Sequence, residues 1–136
     1  MAEGYSATLE NGEDIYIPPW PVDVSLENLA RAGKSLGNDN VVLISKLNIP
    51  AVINGIMNSK DPEETANLIK HFVCQARISG KKITPDTLDE IFTNKLAMIT
   101  EVFAHVMHYQ YNDFFELGLA KETFPSSSET GTRQYP

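Results

Sequence analysis

The sequence is poor in the features that carry catalysis. One cysteine, Cys74, stands among 136 residues, so no internal disulfide can form and nothing points to a secreted, stapled fold. No apolar run approaches the roughly 20 residues that cross a bilayer as a helix. The opening "MAEGYSATLENGEDIYI" carries acids and lacks the basic and apolar blocks of a signal peptide, so a cytoplasmic location is expected. Basic residues are also short: 11 Lys and Arg against 18 Asp and Glu give a net charge of −7. That balance leaves no electrostatic footprint for a phosphate backbone, and nucleic-acid binding is not expected. The Gly-rich loops that cradle phosphates and the Gly-x-Ser-x-Gly elbow of hydrolases do not occur. There are no internal repeats.

What is present fits one domain. A chain of this length buries a core without disulfides or metal. "YSATLE" and "EDIYI" alternate in the manner of strands, with Ile15 and Ile17 on one face and Tyr16 on the other. Asn11-Gly12 lies between them and suits a type I′ turn, which needs positive φ at both central residues. A hairpin over about residues 5–17 follows, then a proline-rich linker at 18–23 that cannot join a central strand. Trp20 sits in that linker, either anchoring it to the body or facing a partner.

Helical patterns fill the rest. Ser25 reads as the N-cap of "LENLARAGKSL", with Gly37 as its stop. "VVLISKL" is a short buried helix or a strand, since periodicity does not separate the two. Pro50 opens the next helix. Asp61, Pro62 and Glu64 form a clear helix start, with a stripe of Ala66, Ile69, Phe72, Val73 and Ala76 and an end at Gly80. Thr84 and Pro85 open another helix, with Leu88, Ile91 and Phe92 turned inward. After a break near Asn94, a long helix carries Leu96, Ile99, Phe103, Val106, Met107, Phe114 and Leu117 on one stripe. The expected fold is mainly α: an N-terminal β-hairpin followed by a compact bundle of about five to six helices. The domain covers 1–122, and 123–136, rich in Ser, Thr, Gly and Pro, forms a flexible C-terminal tail.

Two i,i+3 pairs, His71/Cys74 and His105/His108, raise the question of a zinc site. At about 100° per residue, His71 lies roughly 200° and Cys74 roughly 140° from the centre of their apolar stripe. His105 lies roughly 240° and His108 roughly 180° from Ile99. Three of these groups point away from the stripes that bring the helices together, and Cys74 lies on the flank. No metal and no cofactor is expected, and a helix-interior cysteine without a base has no nucleophilic activation. The acid pairs Glu63-Glu64 and Asp89-Glu90 sit in early helical turns, complementing the dipole. The chain reads as a binding or structural protein and not an enzyme.

The order of parts carries a resemblance. "ATLENGEDIYIPP" leads into "DVSLENLARAGKSL"; a helical body with "KKITPDTLDEIF" follows, then a long helix ending in "YNDFFELG" and a polar tail. Over roughly residues 7 to 120 this plan resembles the tail assembly chaperones of long-tailed bacteriophages. The resemblance implies a non-enzymatic chaperone that binds the tape-measure protein, keeps its hydrophobic helices soluble and helps recruit tail-tube proteins. It implies work in the host cytoplasm, absence from the finished virion and, in some members, a longer frameshifted form. No residue-level motif carries over. The alternative is a structural virion protein of the tail, neck or baseplate. A homo-oligomer is compatible with either, and neither a nucleic acid nor a membrane is an expected partner.

A protein that holds apolar helices needs an exposed apolar surface. With Ile99 at zero, Phe114 falls at about 60° and Phe115 at about 160°, so the core is expected to take Phe114. The expected partner-binding residues are Trp20, Tyr109, Tyr111 and Phe115, with Met57, Met98 and Met107 as adaptable neighbours. The rejection of zinc predicts that a chelator leaves the melting temperature unchanged; a marked drop in a thermal scan overturns it.

Overall fold

Alternation builds the first hairpin in a computed structural model that describes residues 4–122, with side-chain burial given through residue 118. Strands β1 (Tyr5–Thr8) and β2 (Asp14–Ile17) pair antiparallel, Tyr5 opposite Ile17 and Thr8 opposite Asp14. Ile15 and Ile17 are buried and Tyr16 faces out. The turn differs from the expected one. Gly12 alone has positive φ, at 94°, and Asn11 does not. The Gly12 N–H donates to Leu9 O at 2.9 Å and the Leu9 N–H to Glu13 O at 2.8 Å. This is a three-residue loop, a type I turn closed by a left-handed glycine. The Asn11 side chain accepts from the Glu13 N–H at 3.0 Å, which holds the turn without moving Asn11 from its favoured backbone region.

The type I′ turn lies elsewhere. Ser79 and Gly80 have φ of 48° and 82° and join β3 (Arg77–Ile78) to β4 (Lys81–Lys82). The second hairpin adds to the first, Ile15 opposite Ile78, giving an antiparallel sheet in the order β1-β2-β3-β4. The helix expected to reach Gly80 therefore ends at Val73. A two-residue strand is too short for alternation to be read, and β2 gains from it a partner for backbone that an edge leaves unpaired.

Six helices follow the same local rules with shifted ends. Helix α1 spans Val22–Leu36, four residues earlier at its start than a Ser25 cap implies. Pro21 precedes it in extended conformation, and its carbonyl accepts the Ser25 N–H at 2.9 Å. Helix α2 (Asn38–Ile44) settles the ambiguous stretch as helix. It ends with Leu47 at φ 65°; Leu47 N–H donates to Ile44 O and Asn48 N–H to Leu43 O, the paired bonds of a Schellman cap with leucine in the place glycine usually holds. Asn48 caps α3 (Ile49–Met57) through the Ala51 N–H. Asp61 caps α4 (Pro62–Val73) through Glu64 N–H at 3.1 Å. Thr84 and Thr87 form the capping box of α5 (Pro85–Phe92). Asn94 breaks the chain at φ 62° before α6 (Leu96–Glu122). The tail expected at 123–136 lies outside the described residues.

Helix α6 is the centre of the body. It packs against α2, α3, α4, α5 and β2. Val102, Phe103, Ala104, Val106 and Met107 are all buried, so the apolar face here spans about 200° of the helix and is not one narrow stripe. Phe103 meets Phe72 of α4 at 5.1 Å between ring centres. The face of α4 is Thr65, Leu68, Ile69, Phe72 and Val73; Ala66, expected there, is exposed. Leu96, Phe114 and Leu117, expected on the buried stripe of α6, are exposed. No helix among the described residues is long and apolar enough to cross a membrane.

A Cβ at Gly80 meets nothing within 4 Å, so Gly80→Ala isolates the backbone cost of left-handed φ, about 1 kcal/mol of stability. Gly118 lies on α6, also with open space around it, and Gly118→Ala costs nothing or stabilises. Urea midpoints of the two variants test this opposition of sign.

Candidate partner-binding surface

The aromatic end of α6 is used largely as internal joinery. Tyr111 is 3% exposed. Its hydroxyl donates to the carbonyl of Ser25 in α1 at 2.7 Å, and burial pushes its phenol well above the usual range. It therefore offers almost no surface to a partner. Tyr109 is half-buried and stacks on Tyr5 of β1 at 5.6 Å. Trp20 is half-buried, edge-on to Phe72 at 5.0 Å and near Tyr111 at 6.1 Å. Its backbone N–H donates to Gln110 Oε1, and Gln110 Nε2 donates to the Pro18 carbonyl at 2.9 Å. The linker is thus clasped to α6 at Pro18 and at Trp20 itself, although the buried indole N–H meets no acceptor. Phe115, expected to point aside, is half-buried against the core, while Phe114 is 56% exposed. Of the adaptable methionines, Met98 and Met107 are buried and Met57 is exposed.

The histidines of α6 do not face solvent either. His105 Nδ1 lies 3.0 Å from the Tyr5 hydroxyl. His108 Nδ1 lies 2.9 Å from the Ser45 carbonyl, which can only accept, so that nitrogen carries the proton. Both rings sit 5.7 Å from the Tyr5 ring. The expectation of an exposed back face fails because a central helix has no back: β1 and the end of α2 cover it. Burial, with a smaller contribution from His108, lowers the pKa of His105. Cys74 is half-buried, and burial raises its thiol pKa. Among the described residues no group of three or more His, Cys, Asp or Glu is placed to hold a metal ion.

The exposed apolar surface lies where these anchors stop. On α1, Val22 and Leu26 are 76% and 59% exposed, and Ala30, one turn further, is exposed as well. A cleft of about 300 Å³ runs between Leu29, Ala30 and Gly33 of α1, Val41 and Val42 of α2, and Phe115 of α6. Phe114 meets the Phe115 ring edge-on at 5.2 Å, and Leu117 follows one turn later, exposed. A continuous apolar face thus joins α1 to the projecting end of α6. A second set, Ile53, Ile56 and Met57, lies exposed on α3. A wider recess of about 810 Å³ lies between the hairpin tip, Leu47 and Ile49, and the start of α6; there the Glu101 carboxylate accepts from the Glu10 N–H at 3.0 Å.

Val22 escapes sequence reasoning because it places 22 and 23 in the linker, and Leu26 because a helix capped by Ser25 lacks the turn that carries Val22. The signal was available in Pro21, a natural helix opener. Phe114 and Phe115 come out inverted because Ile99, the chosen origin, is only half-buried, and the neighbours near residue 115 are α1 and α2, not those that cover Ile99.

The sequence model of a family described as phage tail assembly chaperone protein, TAC, matches residues 11–122, a span holding all six helices. No curated protein and no solved structure matches the chain.

His105 gives this region a pH dependence. Its folded pKa lies below the unfolded value of about 6.5, so its contribution is complete above pH 6.5 and is lost as pH falls toward the lowered value. The urea midpoint drops on acidification from pH 7.5 to 5.5, and the drop is smaller in His105→Gln. An equal drop in both proteins removes His105 as its source.

Proposed function

Because the chain belongs to the phage tail assembly chaperone family, we propose that it works in tail assembly by binding without catalysis. In this reading it holds the tape-measure protein in the host cytoplasm, shields the apolar faces of its helices, and hands it to the tail-tube proteins, without remaining in the virion. One observation supports it above the others. Val22, Leu26, Phe114 and Leu117 are left largely in solvent beside a core in which Ile17, Phe72 and Phe103 are fully buried. A fold able to bury those residues so completely has no packing reason to leave four large apolar side chains outside. Apolar surface of this kind marks an interaction site.

The physical task is modest. Each apolar side chain of a client covered by such a face gains on the order of 1.5–3 kcal/mol against exposure, and association costs several kcal/mol of lost freedom. A few anchors therefore give binding that is firm yet reversible, as a transient holder requires.

Co-expression tests this directly. The tape-measure protein of the same phage is soluble and co-purifies with the chain, and is insoluble without it; purified particles lack the chain. Stoichiometric presence in particles, or unchanged tape-measure solubility in its absence, overturns the reading and favours a structural virion component.

A further inference from the structure

We propose that the face shared by α1 and the end of α6 receives one amphipathic α-helix whose apolar stripe is bordered by lysine or arginine. This rests on the chaperone reading and adds the surface and the chemistry of the segment it selects.

The apolar fit is geometric. Val22, Leu26 and Ala30 are four residues apart, so they form a ridge along α1 about 12 Å long. The cleft beside Leu29 and Phe115 continues that ridge toward Phe114 and Leu117. A ridge next to a cleft suits a helix that offers apolar side chains at i, i+3, i+4 and i+7.

Charge identifies what borders the stripe. Asp23 and Glu27 are exposed on α1, and Asp113 and Glu116 on α6. Residues 22–30 and 109–118 contain no Lys or Arg. The nearest bases on α1 are Arg31, paired with Glu64 at 3.0 Å, and Lys34, at one end of the cleft. Among the described residues Lys34 is the cation that lines the cleft, and these four carboxylates each adjoin one of the exposed apolar positions, Val22, Leu26, Phe114 and Leu117, in sequence. They favour a basic-edged helix and repel an acidic one. The exposed face of α3 lacks this frame, since residues 49–58 carry no charge.

The test uses the full chain and two synthetic peptides with the same leucine stripe, one bordered by lysines and one by glutamates, followed by fluorescence anisotropy. The lysine peptide binds about tenfold or more tightly, and salt narrows the gap. Leu26→Ser with Phe114→Ser abolishes its binding, and Glu27→Lys with Glu116→Lys reverses the preference, each with an unchanged circular dichroism spectrum. Ile53→Ser with Met57→Ser leaves binding intact. Equal binding of both peptides overturns the proposal, as does loss of binding in the α3 variant alone. So does a concentration-dependent dimer that Leu26→Ser with Phe114→Ser dissolves, because the occupant is then a second copy of the chain. The co-expression assay separates the two readings. A soluble tape-measure protein with no peptide preference sinks only this inference. A clear peptide preference without tape-measure solubility sinks only the chaperone reading.

Discussion

Everything in this protein is hung on the middle of α6. Between Val102 and Tyr111 no side chain of that helix is exposed, and four of its side chains act as polar pins to four different segments. His105 meets Tyr5 of the hairpin. His108 meets the Ser45 carbonyl at the end of α2. Gln110 clasps the linker at Pro18 and Trp20. Tyr111 holds Ser25 in α1. Around these pins the apolar contacts close, with Phe72 and Phe103 at the centre. A buried polar atom without a partner costs roughly 1–3 kcal/mol, so each pin penalises any arrangement in which its segment sits elsewhere. Hydrophobic burial supplies the driving force, and the pins supply the register.

That division explains where the exposed surface begins. The last pin is Tyr111. Beyond it, among the described residues, Phe115 still packs inward, and Phe114 and Leu117 face solvent. Tyr111 ties the turn before this end to the same helix that carries Leu26, and Phe115 shares a cleft with Leu29 of that helix. The two halves of the apolar face are thus joined through Tyr111 and Phe115. A preformed face loses less freedom on binding than a loop that must first be ordered.

Much of the fold was legible. Asp61-Pro62 and Thr84-Pro85 name their helices without help from tertiary structure, because the cap and the fixed φ act locally. Ile15 and Ile17 declare the buried face of β2 by alternation. The failures share a cause: each needed knowledge of what lies alongside. The two-residue strand Arg77–Ile78 exists because β2 offers it an edge. Asn11-Gly12 and Ser79-Gly80 exchange turn types because the register on either side counts loop residues, three in one case and two in the other. Angular positions on α6 presume one buried stripe, which suits a helix on the outside of a body and fails for a helix at its centre.

The candidate surface was harder to read for a chemical reason. Histidine, tyrosine and tryptophan draw the eye because they can do chemistry, yet here their polar atoms are suited to joining segments across a core. A valine, two leucines and a phenylalanine carry no comparable signal, since each is ordinary in any interior. What makes them a site is that they remain outside, beside one cleft, with a carboxylate adjoining each of them. That property belongs to no single residue or spacing. It arises only when α1 and α6 are brought together, and the residues that bring them together are the ones that looked functional.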